Sequence, residues 1–152
     1  PVIMKLLEDR LPITSITVMV QKEAAERLCA QPGTRECGAV SAAVQYYAEP
    51  EILFEVSRGS FMPAPNVDSA VIQLRIRKEP PVDVHDEALF FRVIRAAFAQ
   101  RRKTAVNSIS NTLHMSKQQV TDAFEQAGVR ANSRAEALTL PEFAAVVNQL
   151  TD

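Results

Sequence analysis

One short stretch brings together residue types with a chemical use. In "SFMPAPNVDS" (60–69), Phe61 stands beside Pro63 and Pro65. Proline fixes φ and steers the residue before it away from helix, so the segment reads as a stiff, extended connector. A ring on such a connector either packs under a domain or offers a face for something flat to stack on. Enzymes that act on a base take it out of its stack and hold it between flat or apolar walls. One such aromatic contact contributes about 1–3 kcal/mol. On periodicity alone, a buried packing ring is the commoner role for phenylalanine, and both readings stand at this point.

A second set is charged. Residues 88–121 contain no Asp or Glu but hold Arg92, Arg95, Arg101, Arg102, Lys103 and Lys117. The chain as a whole carries a net charge of −1, so this basicity is local. Unpaired like charges repel unless an anion joins them, which points to a phosphate backbone. A solvated charged face is the competing reading.

Other chemistry is excluded by spacing. Gly33, Gly38, Gly59 and Gly128 are too far apart for a glycine-rich phosphate or cofactor loop. Cys29 and Cys37 form no CxxC and have no paired histidines, so they read as reduced thiols, and no metal site is expected. His85 and His114 lack a nucleophile pattern, and Lys22 with Glu23 reads as a charged first helical turn. No apolar run approaches the roughly 20 residues of a membrane span. No secretory signal opens the chain, so the expected compartment is the cytoplasm.

The elements that must position these residues follow from pattern. With 152 residues, 47% of them hydrophobic, a sizeable core is expected. Residues 2–10 read as a short helix with Pro1 at its first turn and Pro12 as its stop. "ITSITVMV" (13–20) reads as a strand buried on both faces and central in its sheet. Helices are expected over 21–30 and 38–47 and a strand over 52–56. A half-buried strand is expected where Ala70, Ile72, Leu74 and Ile76 alternate with Val71, Gln73, Arg75 and Arg77. "EPPVDV" (79–84) is a linker by composition. Beyond it a helix over 87–99 buries Phe90, Val93, Ile94, Ala97 and Phe98. If that helix ran on, it would gather Arg92, Arg95, Arg102 and Lys103 on its opposite side. Capping boxes are expected at Ser116/Gln119, Ser133/Glu136 and Thr139/Glu142, with Gly128 ending a helix. The fold class is α/β followed by all-α, divided into residues 1–79 and 80–152. A central strand with few neighbours suggests that 1–79 is part of a larger sheet.

At these residues the chain resembles the small-subunit ribosomal RNA adenine dimethyltransferases. "VMVQKEAAERL" (18–28), "GAVSAAVQYY" (38–47), "FMPAPNVDSAV" (61–71), "FAQRRKTAVNSI" (98–109) and "SRAEALTLPEF" (133–143) match that family's pattern in order. The resemblance implies a seven-stranded methyltransferase sheet followed by a small helical RNA-binding domain. It implies methyl transfer from S-adenosylmethionine to two adjacent adenines near the 3′ end of small-subunit ribosomal RNA. Phe61, on a target-base loop shaped by Pro63 and Pro65, would stack on the flipped adenine. Arg92, Arg95, Arg101, Arg102 and Lys103 would bind the RNA. The family's cofactor loop and Asn-(Leu/Ile)-Pro-Tyr motif are absent from these residues. The chain therefore resembles the carboxy-terminal portion of such an enzyme. It is expected to bind no cofactor and to be inactive alone, with small-subunit RNA as partner and self-association through the truncated sheet. The alternatives are a non-catalytic ribosome-assembly module and a helix-turn-helix DNA binder in residues 80–152. Asp122 and Glu125 on the expected recognition helix argue against DNA.

Overall fold

The computed structural model describes residues 2–150, so the expectation for Pro1 lies outside the described residues. The chain begins with helix α1 (Val2–Glu8), followed by a left-handed Arg10 at φ 49°. Strand β1 (Ser15–Gln21) runs directly into helix α2 (Lys22–Cys29). Helix α3 (Ala39–Tyr47) runs directly into strand β2 (Ala48–Val56), and strand β3 (Ser69–Ile76) follows the proline loop. The three strands form an antiparallel sheet in the order β1-β3-β2.

Among the described residues β3 lies between β1 and β2, and β1 pairs with β3 alone. One expectation is corrected: β1 is not buried on both faces, because Ile16, Val18 and Val20 turn inward while Ser15, Thr17, Met19 and Gln21 turn out. Outward Met19 is 52% exposed, and it made an alternating strand look continuously apolar. On the other flank, β2 starts four residues earlier than expected. It admits Pro50 because it has one partner among the described residues, and a strand with a free side can spare a backbone donor.

Helices α4 (Glu87–Phe98), α5 (Ala105–Leu113), α6 (Lys117–Gln126) and α7 (Leu140–Leu150) make up the second part. Their starts are fixed by side chains that accept from otherwise orphaned backbone N–H groups. Asp86 accepts from the Leu89 N–H at 3.0 Å, Thr104 from Asn107 at 3.3 Å and Ser116 from Gln119 at 3.0 Å. At α7 the reciprocal box forms: Glu142 accepts from the Thr139 N–H, and Thr139 from the Glu142 N–H. The expected box at Ser133 does not form. Ala135–Ala137 is a single 3₁₀ turn led by Arg134, with no side-chain cap, so the chain never enters the helix that a box would serve.

Two cores result. One lies between the sheet and its helices and holds Leu7, Ile16, Ala25, Val44, Ile72 and Leu74. The other holds Phe90, Ile94, Ile109, Phe124, Leu138 and Phe143 among the four later helices. Helix α3 serves both. Val44 faces the sheet, while Ala42 and Tyr46, one turn apart, join the helical core. A network bridges the same junction. Arg10 donates twice to the Glu87 carboxylate at 2.8 Å, and the Tyr46 hydroxyl donates to it at 2.7 Å.

Candidate nucleic-acid interface

The proline loop is a long hairpin connection closed by the Val56–Ser69 pair at the ends of β2 and β3. Its first turn is a 3₁₀ turn, Arg58–Ser60, capped by Ser57, whose hydroxyl accepts from the Gly59 N–H at 3.2 Å. Two bonds span the loop: the Arg58 N–H donates to Asp68 Oδ1 at 2.9 Å, and the Arg58 guanidinium donates to the Asn66 carbonyl at 3.0 Å. The Asp68 carbonyl in turn accepts from the N–H of Lys22, the first residue of α2, at 2.9 Å. Sequence reading gave Arg58 and Asp68 no role. The turn residues Ser, Gly and Asn around them were the only signal.

Phe61 leaves this turn with extended backbone. Its side chain is half-buried and belongs to neither hydrophobic core. Pro63 and Pro65 are exposed, Met62 is 99% exposed, and the Met62–Pro63 peptide is cis. The ring therefore sits at a loop surface rather than under a domain.

The five cations do not share one helical face. Helix α4 ends at Phe98, so the projection of Arg102 and Lys103 beside Arg92 and Arg95 fails. Arg101, Arg102 and Lys103 lie instead on an exposed turn between α4 and α5. That turn is braced from below. Buried Ser108 accepts from the Gln100 N–H at 3.0 Å and donates to the Ala96 carbonyl. Arg134 donates to the Arg101 carbonyl at 3.2 Å, and the Lys103 N–H donates to the Gln100 carbonyl at 3.0 Å. Arg101 and Lys103 line a cleft of about 510 Å³ with Arg27, Arg35, Glu36 and Glu136. Four cations against two carboxylates leave it net positive. Arg92 and Arg95 line a different groove, of about 540 Å³ and mostly apolar, beside Met4, Val40, Tyr47 and Phe91. The structure thus joins Arg101 and Lys103 to Arg27 and Arg35, which sequence spacing did not connect.

Acid–base chemistry is weak at these surfaces. Burial pushes the Cys37 thiol, on the wall of the basic cleft, up to about 11, a value that a hydrogen bond with Ser41 restrains and Glu136 supports. Cys37 is thus a protonated thiol at neutral pH and a poor nucleophile. Among the described residues no group of three or more His, Cys, Asp or Glu is arranged to hold a metal ion. No helix among them is long and apolar enough to cross a membrane. Among the described residues no glycine-rich turn follows a strand. A nucleotide-type cofactor is held where a glycine-rich turn lets backbone approach it after a strand. Here β1 passes to α2 through Gln21 and Lys22 with no glycine.

Comparison with known proteins gives a consistent picture. The family described as Ribosomal RNA adenine dimethylase matches residues 1–152. A Ribosomal RNA small subunit methyltransferase A from Geobacillus sp. (strain WCH70) is 52% identical over 99% of this chain and 53% of its own length. The protein of that name from Oceanobacillus iheyensis is 47% identical over 97% of this chain and 51% of its own. The chain thus spans about half the length of the curated relatives it matches. A dimethyladenosine transferase from Plasmodium falciparum superposes with a TM-score of 0.80 at 22% identity, covering 99% of this chain and 62% of that one. The 23S rRNA methyltransferase ErmE superposes at 0.68 with 21% identity, covering 99% and 60%. At such identities the two structures speak for the fold alone.

Proposed function

The chain belongs to the ribosomal RNA adenine dimethylase family, and from that premise we propose that it is the carboxy-terminal portion of an enzyme that dimethylates two adjacent adenines near the 3′ end of small-subunit ribosomal RNA. The observation that carries this reading is the placement of Phe61, half-buried outside both cores on a hydrogen-bonded loop. On this reading the flipped adenine stacks on Phe61, with Pro63 and Pro65 shaping the wall around it. Arg101, Arg102 and Lys103 hold RNA phosphates on the braced turn, and Arg92 and Arg95 meet RNA along the neighbouring groove. The division of labour follows residues 1–79 and 80–152, with base handling in the first and RNA grip in the second.

The complete enzyme would draw its methyl groups from S-adenosylmethionine and act in the cytoplasm. This chain is proposed to bind no S-adenosylmethionine itself, because no glycine-rich turn follows a strand among its described residues. The three strands are proposed to be part of a seven-stranded sheet, and alone the chain transfers no methyl group. Labelled methyl transfer to under-methylated small subunits, run with this chain beside the complete enzyme, tests this. Transfer by the folded chain alone would sink the reading. In the complete enzyme, Phe61→Ala is expected to slow transfer about 5- to 150-fold, the rate equivalent of one lost stacking contact. An unchanged rate would remove the stacking role.

The basic cleft supports a second reading, a non-catalytic module that binds immature small subunits as it stands. Tight, salt-dependent binding by this chain without any effect on subunit maturation would favour it.

A further inference from the structure

The bonds around Asp68 converge on the loop that carries Phe61. Strand β3 starts at the next residue, Ser69, which pairs with Gln21 at the end of β1 and with Val56 at the end of β2. The Asp68 carbonyl accepts from Lys22 at the start of α2, and its carboxylate accepts from Arg58 across the loop. Arg58 adds a second crossing through the Asn66 carbonyl. Three chain segments are therefore tied at one half-buried residue. Phe61 lies three residues from Arg58, and its own N–H donates to the Arg58 carbonyl at 3.4 Å. Neither core holds the ring, so its place depends on this tied neck.

We infer that Asp68 is a positioning residue for base modification, which, with Arg58, fixes Phe61 at the height and angle where a flipped adenine meets its face. This rests on the base-stacking reading above. The physical reason is local. A hairpin connection this long has many closed conformations, and two cross-loop bonds plus the Lys22 bond remove most of them. A stacking wall displaced by about 1 Å loses alignment of the reacting nitrogen, which costs on the order of 100-fold in rate. The basic turn stands on the helical part and is untouched by the neck, so RNA affinity should not follow.

The test compares Asp68→Ala, Asp68→Asn, Arg58→Ala and Phe61→Ala in the complete enzyme carrying this segment, with steady-state methyl transfer to under-methylated small subunits. Asp68→Ala is expected to lower kcat 10- to 100-fold with KM within twofold of the parent. Asp68→Asn keeps an acceptor oxygen and should recover most of that loss. Arg58→Ala keeps the backbone donor and removes only the guanidinium bond, so an intermediate loss is expected. Hydrogen exchange on the present chain gives a separate readout: the Arg58 amide should be protected in the parent and in Asp68→Asn, and unprotected in Asp68→Ala. A kcat for Asp68→Ala within twofold of the parent while Phe61→Ala is slow would overturn the inference and leave the stacking reading intact. A normal rate for Phe61→Ala would overturn both. A rise in KM without a fall in kcat, or equal losses in Asp68→Ala and Asp68→Asn, would also overturn the inference.

Discussion

Arg101 and Lys103 differ from the other cations of this chain in what lies around them. They share a cleft with Arg27 and Arg35 on a turn whose backbone is already bonded, so binding an anion there need order little more than side chains. Each phosphate contact with single-stranded nucleic acid contributes roughly 0.7 to the slope of log affinity against log salt. Replacing Arg101 and Lys103 by Ala is expected to weaken binding to immature small subunits and to flatten that slope by about 1.4. An unchanged slope would mean that these two side chains do not touch the backbone. Charge–charge spacing in the sequence suggested a cluster. It placed the end of α4 within one residue of Phe98 but did not reveal that the cluster divides between two surfaces.

At the scale of elements, two positions test how the turn and its helices are held. Ser108 is fully buried and satisfies Gln100 and Ala96 at once. Ser108→Ala leaves the Gln100 N–H without its partner, which costs about 1–3 kcal/mol. Chemical denaturation should register that loss, and RNA affinity should fall with it if the brace presents the basic turn. Gly33 tests a junction between parts. Its φ is +90°, and a Cβ there would stand 3.3 Å from Thr139 Cγ2, beside the capping box of α7. Gly33→Ala therefore combines backbone strain with crowding of the helix start and should destabilise by about 1–3 kcal/mol. A melting temperature equal to the parent's would show that the 31–37 loop gives way without disturbing α7.

The whole molecule hangs together through α3 and the Arg10–Glu87–Tyr46 network. Burial pushes the Glu87 carboxyl up, but hydrogen bonds from Tyr46 and Arg10, with the Arg10 charge, outweigh it and hold the group below its ordinary 4.5. A lowered folded-state value means that this contribution is complete above 4.5 and is lost as pH falls through the lowered value. Glu87→Gln should therefore lose stability at pH 7 and show a shallower acid decline than the parent. Equal acid transitions in the two proteins would show that the network does not couple the parts. The sheet offers a second test at this scale. The outer edge of β1 carries no strand among the described residues. On the open face Met19 pairs across Val71 with Phe54, which is 56% exposed. The chain is proposed to self-associate through this edge, and sedimentation should show mass rising with concentration. Met19→Lys should suppress that rise, because a charge on an edge strand opposes further pairing. The sequence by itself determined most helices, the β3 alternation, the Thr139 box and the composition of the proline loop. Each of these is set by residues within a turn or two of one another, where period and propensity are readable. Only the tertiary structure decided that β3 lies between β1 and β2, that Phe61 stands outside both cores, that Asp68 ties its loop and that Arg27 and Arg35 face Arg101 and Lys103. Those facts depend on which segments meet across long loops, and no local pattern encodes the partner.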